Sequence, residues 1–261
     1  MNNPPRVAAA LSLDGLSSDA RAGFDLAAAA GFRSIAFATN HPQLAPAELG
    51  QTARRHVRKI LQAHDLSFAS VRVAVPRSGL ADAGTVDRTV DNTKQAIDLA
   101  HALGVSTVTL EIGNIPDAGS EASSLLAATR ELAEHAGRAG VILALGSDRS
   151  ERLRDLLAQL ASQDVRANAS PARAVAGGED AVLAMARLAG LVGQMTVADA
   201  VRAGSSVRAV PLGEGQVAWP EVWRALRDQD FRGPIVVDVR DLPDGPSAAR
   251  GAADTLRAWG I

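Results

Sequence analysis

Eight short apolar runs of strand length alternate along this chain with eight longer segments of helical period, and that alternation leaves few folds open. Strands are expected at Val7 to Ser12, Arg33 to Ala38, Ser67 to Val75, Ser106 to Ile112, Val141 to Gly146, Val165 to Ala169, Leu191 to Val197 and Pro234 to Val239. Helices are expected at Ser18 to Ala30, Ala47 to His64, Thr85 to Leu103, Ser120 to Ala139, Ser150 to Ala161, Gly178 to Leu188, Trp219 to Asp228 and Ser247 to Trp259. Gly31, Gly104, Gly140 and Gly233 each stand between a helical run and the next strand, where a left-handed residue turns the chain back. The segments that follow strands are longer and more polar, notably Thr39 to Pro46, Pro76 to Gly84, Asn114 to Gly119 and Ala198 to Ala218. No Gly-x-Gly-x-x-Gly follows the first strand, which argues against a doubly wound nucleotide-binding sheet. With 261 residues, near the roughly 250 typical of the architecture, the pattern predicts a single (β/α)8 TIM barrel over residues 1–261 whose active site lies at the carboxyl ends of the strands.

Composition narrows the partners. A net charge of −2 gives no global field toward nucleic acid or an anionic membrane, so neither is expected. The chain has no cysteine, which removes disulfides, thiolate metal sites and a cysteine nucleophile. The first residues run into an apolar stretch too brief to span a membrane and without a small-residue cleavage site, so no targeting signal is read and a cytoplasmic location is expected. No Tyr, three Trp and five Phe leave few platforms on which sugars or bases stack.

Three stretches carry a resemblance. Asp91 to Gly104 leads into Val105-Ser-Thr-Val108 through an Ala-x-x-Leu-Gly turn, here His101-Ala-Leu-Gly104 preceded by Ala100. Val210-Pro-Leu-Gly-Glu-Gly-Gln-Val-Ala-Trp-Pro220 contains a Leu-Gly-Glu-Gly turn before a helix, and Phe231-Arg-Gly-Pro-Ile-Val-Val-Asp-Val239 ends the barrel. Together they resemble the xylose-isomerase-like barrels, a family of sugar isomerases, sugar-phosphate epimerases and endonuclease IV enzymes. The resemblance implies one divalent cation held by Glu, Asp, His and Glu at the ends of strands five to eight. Such an ion polarises the substrate oxygens while a carboxylate moves a proton between neighbouring carbons. This chain has Gly146, Ser170, Thr196 and Asp238 at those places. One carboxylate does not hold a cation, so the inherited metal site is expected to be lost and no cofactor is expected. A shifted site built from Glu111, Asp148, Asp199 and Asp238 is the alternative.

Among the remaining polar residues, Glu111 shares a strand face with Thr107 and Thr109 and is read as a catalytic acid or base, or as a lip residue paired with an arginine. Asp238 is the second catalytic candidate. Asn168, Ser170, Thr196, Asp199 and Arg240 are placed at the barrel mouth as substrate contacts, or as a satisfied polar plug. His41, in Thr39-Asn-His-Pro42, is a proton carrier near neutral pH or a solvated loop residue. Arg72, Arg77, Arg202 and Arg208 follow strand ends, where one or two of them suit a substrate phosphate, Arg208 among the substrate contacts. His56, His64, His101 and His135 fall on outer helices, and the basic run Arg54 to Lys59 reads as a solvated helix face. No Gly-x-Ser-x-Gly supports a serine hydrolase.

Two functions follow. In one, the chain is a sugar or sugar phosphate isomerase or epimerase that transfers a proton next to a carbonyl without the divalent metal. In the other, it is a non-catalytic barrel that binds a small polar ligand or a protein partner.

Overall fold

The computed structural model describes residues 7–75, 80 and 84–261. Arg77 and most of the loop that follows the third strand lie outside the described residues. Eight parallel strands close into a barrel in the order β1 (Val7–Ser12), β10 (Ile235–Val237), β7 (Val192–Val197), β6 (Val165–Ala169), β5 (Ile142–Ser147), β4 (Thr107–Gly113), β3 (Ser67–Arg72) and β2 (Phe32–Ala38). Each barrel strand matches an expected run. Around them lie α1 (Ala20–Ala30), α2 (Gln51–Ala63), α3 (Val86–Leu103), α4 (Ser120–Ala139), α5 (Ser150–Leu160), α6 (Pro171–Gly177), α7 (Ala181–Arg187), α8 (Trp219–Asp228) and α9 (Gly245–Ala258). Among the described residues no helix is long and apolar enough to cross a membrane.

The strands alternate in a way their apolar runs conceal. Residues such as Leu11, Ile35, Phe37, Val71, Leu110, Leu145, Met195 and Val237 are fully buried outward against the helices and form the main core. The alternate positions face the barrel axis, where Ala10, Ala36 and Val236 form a separate small cluster with Ala69 packed on it. Lumen positions are therefore small or polar, and charged groups sit above them at the carboxyl ends.

Gly31, Gly104 and Gly140 adopt left-handed conformations with φ of 95°, 74° and 65° and close α1, α3 and α4. Gly233 differs, because it is not in that region. A Cβ there would strike the Gly193 carbonyl and lie 2.7 Å from the Phe231 ring, so close approach requires the glycine.

Two elements depart from expectation. The helix expected at Gly178 to Leu188 is preceded by α6, which starts where Ser170 caps the helix by accepting from Arg173 N and Pro171 sets the first turn. The long polar segment after β7 folds into an antiparallel hairpin, β8 (Asp199–Ala203) and β9 (Ser206–Val210), turning at Gly204 and Ser205.

Candidate active site

Among the described residues, three arginine and carboxylate pairs occupy the carboxyl ends of the strands. At β4, Glu111 lies 2.6 Å from Arg173 Nη1 through Oε2 and accepts from Asn168 Nδ2 at 3.3 Å through Oε1. Asn168 in turn accepts from Thr196 Oγ1 at 2.9 Å, and Arg173 also reaches Asp148 at 3.4 Å. Just beyond β10, Asp238 pairs with Arg240 Nη2 at 2.9 Å and accepts from the Arg240 backbone N–H at 3.2 Å. Asp14, two residues past β1, accepts from Arg72 Nε at 2.7 Å and lies 3.9 Å from Arg240. Burial pushes the Asp238 carboxyl above its ordinary value, and the Arg240 cation only partly offsets it. Glu111 is among the charges that act on Arg240, so the pairs share one mouth.

Gly146 explains how Glu111 fits. The two residues are direct register partners on β4 and β5, and a Cβ on Gly146 would fall on the Glu111 carboxylate, 2.5 Å from its Cδ. The carboxylate thus fills the volume a side chain at 146 would take. Gly146→Ala is expected to cost about 1–3 kcal/mol by displacing Glu111 from Arg173, and close to nothing when Glu111→Ala is already present. Urea unfolding of the four proteins measures that coupling, and equal costs in both backgrounds would refute the packing.

Asp199 does other work. It is buried, with Oδ1 accepting from Ala200 N at 2.9 Å and Val217 N at 3.4 Å, and Oδ2 from Gly213 N at 3.0 Å and Trp219 Nε1 at 3.0 Å. A Cβ on Gly215 would overlap this carboxylate. The Leu212 to Gly215 turn therefore wraps a carboxylate of its own chain. Ser170 caps α6, and Arg208 stands exposed on β9. Arg202 donates to the Ala176 carbonyl and lies against Gly178. His64 and His135 pair with Asp25 at 2.5 Å and Asp98 at 2.7 Å on the outer ring.

His41 is not the solvated loop residue that one reading allowed. It is 6% exposed, and its Nδ1 accepts from Gln43 N at 3.2 Å, which leaves the proton on a buried Nε2 that makes no aligned hydrogen bond. Burial holds its pKa below the ordinary 6.5, while the Ser17 backbone and the Asp14 and Asp19 charges pull it back. Between the two pKa values the unfolded chain binds more protons. The stability this residue contributes is therefore complete above about pH 6.5 and is lost as pH falls from there toward the folded value. His41→Gln is expected to flatten the decline in urea midpoint between about pH 7 and about pH 5. An unchanged slope would place the acid sensitivity elsewhere.

Beside the pairs, a crevice between β5, β6 and α7 is lined by Ser147, Asp148, Asn168, Ser170, Glu179 and Met185. It adjoins the Glu111 cluster through Asn168.

A model of the xylose isomerase-like TIM barrel family matches residues 24–259. The chain belongs to this family. Among solved structures it is similar to a xylose isomerase domain protein from Planctomyces limnophilus, at 18% identity and TM-score 0.82 over 98% of this chain and 96% of that one. It is also similar to a 3-keto-D-glucoside 4-epimerase from E. coli, at 12% identity and TM-score 0.78 over 97% and 100%. A D-allulose 3-epimerase from Methylomonas sp. in complex with D-allulose gives 17% identity and TM-score 0.76 over 100% and 99%. At these identities the likeness shows the fold. A comparison with curated protein sequences finds no match.

Within a xylose isomerase-like barrel the donor set can be tested directly. Gly146 has no side chain, and Glu111 fills its place. The Ser170 hydroxyl caps α6, the Thr196 hydroxyl donates to Asn168, and Asp238 already carries Arg240. Among the described residues no three His, Cys, Asp or Glu side chains converge as a metal site. Such a set does not fit a divalent cation. Two mouth residues escaped the sequence reading. Asp14 follows the first strand by two residues, a position that could have flagged it, whereas Arg173 was hidden because α6 was unplaced.

Proposed function

We propose that this xylose isomerase-like barrel acts on a small polar carbohydrate, free or phosphorylated, by moving a proton on the carbon next to a carbonyl without a divalent cation. The Asp238 and Arg240 pair carries the reading. Asp238 stands just past the carboxyl end of β10 with its carboxyl raised by burial, which makes its carboxylate a stronger base, and Arg240 is the adjacent cation. In the step, Asp238 takes the proton and the electron pair moves onto the carbonyl oxygen, where Arg240 stabilises the enediolate. Asp238 returning the proton to the former carbonyl carbon, while the hydroxyl proton of the neighbouring carbon passes to the former carbonyl oxygen, gives an isomer; an epimer forms when a second donor protonates the original carbon from its opposite face. Glu111, held by Arg173 and Asn168, is the second carboxylate and orients the hydroxyls. The carbohydrate class is supported by relatives whose names specify sugar epimerases.

A second reading, a barrel that binds a polar ligand without turnover, is favoured by the way the ion pairs fill the mouth. The test is solvent exchange. Chelator-treated protein is incubated in D2O with aldoses, ketoses and their phosphates, and deuterium next to the carbonyl is read by mass spectrometry. Chelator-insensitive incorporation supports the proposal. Saturable binding without incorporation supports the second reading, and incorporation that needs added metal overturns the cation-free step.

A further inference from the structure

Each carboxylate of the mouth that lies near a position expected to ligate an ion already holds a guanidinium. Arg173 Nη1 lies 2.6 Å from Glu111, whose carboxylate fills the space at 146, and Arg240 Nη2 lies 2.9 Å from Asp238. Both arginines are anchored. Arg173 is in the first turn of α6, whose start is fixed by the Ser170 cap and Pro171. Arg240 is held against the β1–α1 turn so closely that a Cβ on Gly15, at φ 76°, would lie 2.7 Å from its Cα. The Glu111 and Asp238 side chains are about 21% and 10% exposed, and partly buried carboxylates of this kind require a compensating charge.

We propose that Arg173 and Arg240 are resident counter-cations that balance the two lumenal carboxylates and so take over the electrostatic role of a divalent ion in this barrel. This charge balance extends the proposed cation-free chemistry. Because its test uses Mn2+ or Mg2+ alone and no substrate, the two proposals fail separately.

The experiment is thermal shift and titration calorimetry on the chelator-treated full chain and on Arg173→Met/Arg240→Met. The wild type is expected to show no saturable response to either ion. The double variant is expected to melt about 3–8 °C lower and to regain most of that loss at saturating Mn2+. Adding Asp238→Asn to it should abolish the response. A stoichiometric ion in the wild type would overturn the proposal, as would a double variant that is folded by circular dichroism yet indifferent to metal. Should the double variant not fold, Arg240→Met alone and the neutral pair Asp238→Asn/Arg240→Met decide. The single variant should melt below the wild type, whereas the neutral pair should be more stable than the single variant. A neutral pair as unstable as the single variant overturns the charge balance.

Discussion

Asp199→Ala is expected to lower the melting temperature by about 6–15 °C while leaving the ion pairs of the barrel mouth in place. Four N–H groups converge on this one carboxylate, from Ala200, Gly213, Val217 and the Trp219 indole. Alanine leaves those donors without their acceptor, and the loss of buried, charge-assisted bonds costs about 3–5 kcal/mol in sum. The consequence spreads through Trp219, which is fully buried and stacks on Trp223 at 5.3 Å and Trp259 at 5.6 Å, joining the start of α8 to the end of α9. Tryptophan emission should shift to the red together with the drop in melting temperature. Asp199→Asn should fall between, because one of two accepting oxygens becomes a donor facing an N–H. A variant as stable as wild type but with weakened ligand binding would return Asp199 to the substrate-contact role that its place after β7 suggests.

That residue shows where a sequence stops being legible. The eight strands could be read because their outward faces need large apolar side chains against the helices, and the helix ends could be read from glycines such as Gly104. The contents of the mouth could not. Asp199 looks like a substrate contact and Leu212 to Gly215 like a plain turn into a helix, and only the fold shows that they bind each other. Ser170 was legible as a helix cap from the following proline, yet its alignment with a ligand position obscured the simpler local reading. The hairpin after β7 is not in the expected pattern, which has a polar loop there, although Gly204 and Ser205 between Val201 and Val207 form a two-residue turn between β-branched positions. Glu111 was seen both as an acid or base and as a residue paired with an arginine. The pairing is present, but its partner Arg173 lies 62 positions away on a helix the periodicity did not resolve.

Asp238→Asn is expected to reduce deuterium incorporation by about 10²–10⁴-fold, the range for removing a positioned general base. Asparagine keeps the shape and can still accept from the Arg240 backbone N–H, which Asp238 does at 3.2 Å, so the strand end should hold. Arg240 retains Asp14 at 3.9 Å as a second carboxylate, which limits the cost of losing Asp238. The fall should appear in the rate at saturating sugar and leave half-saturation little changed, because what is removed acts on the proton in the transition state. Glu111→Gln makes the contrasting case. It weakens the pair with Arg173 at the wall of the site and should mainly raise the sugar concentration needed, with a smaller loss of rate. If Glu111→Gln abolishes exchange and Asp238→Asn does not, the base is on β4 and Arg173 is the cation beside it. If neither variant alters exchange that the wild type performs, the proton moves through groups outside these pairs, and the mouth is a structural plug.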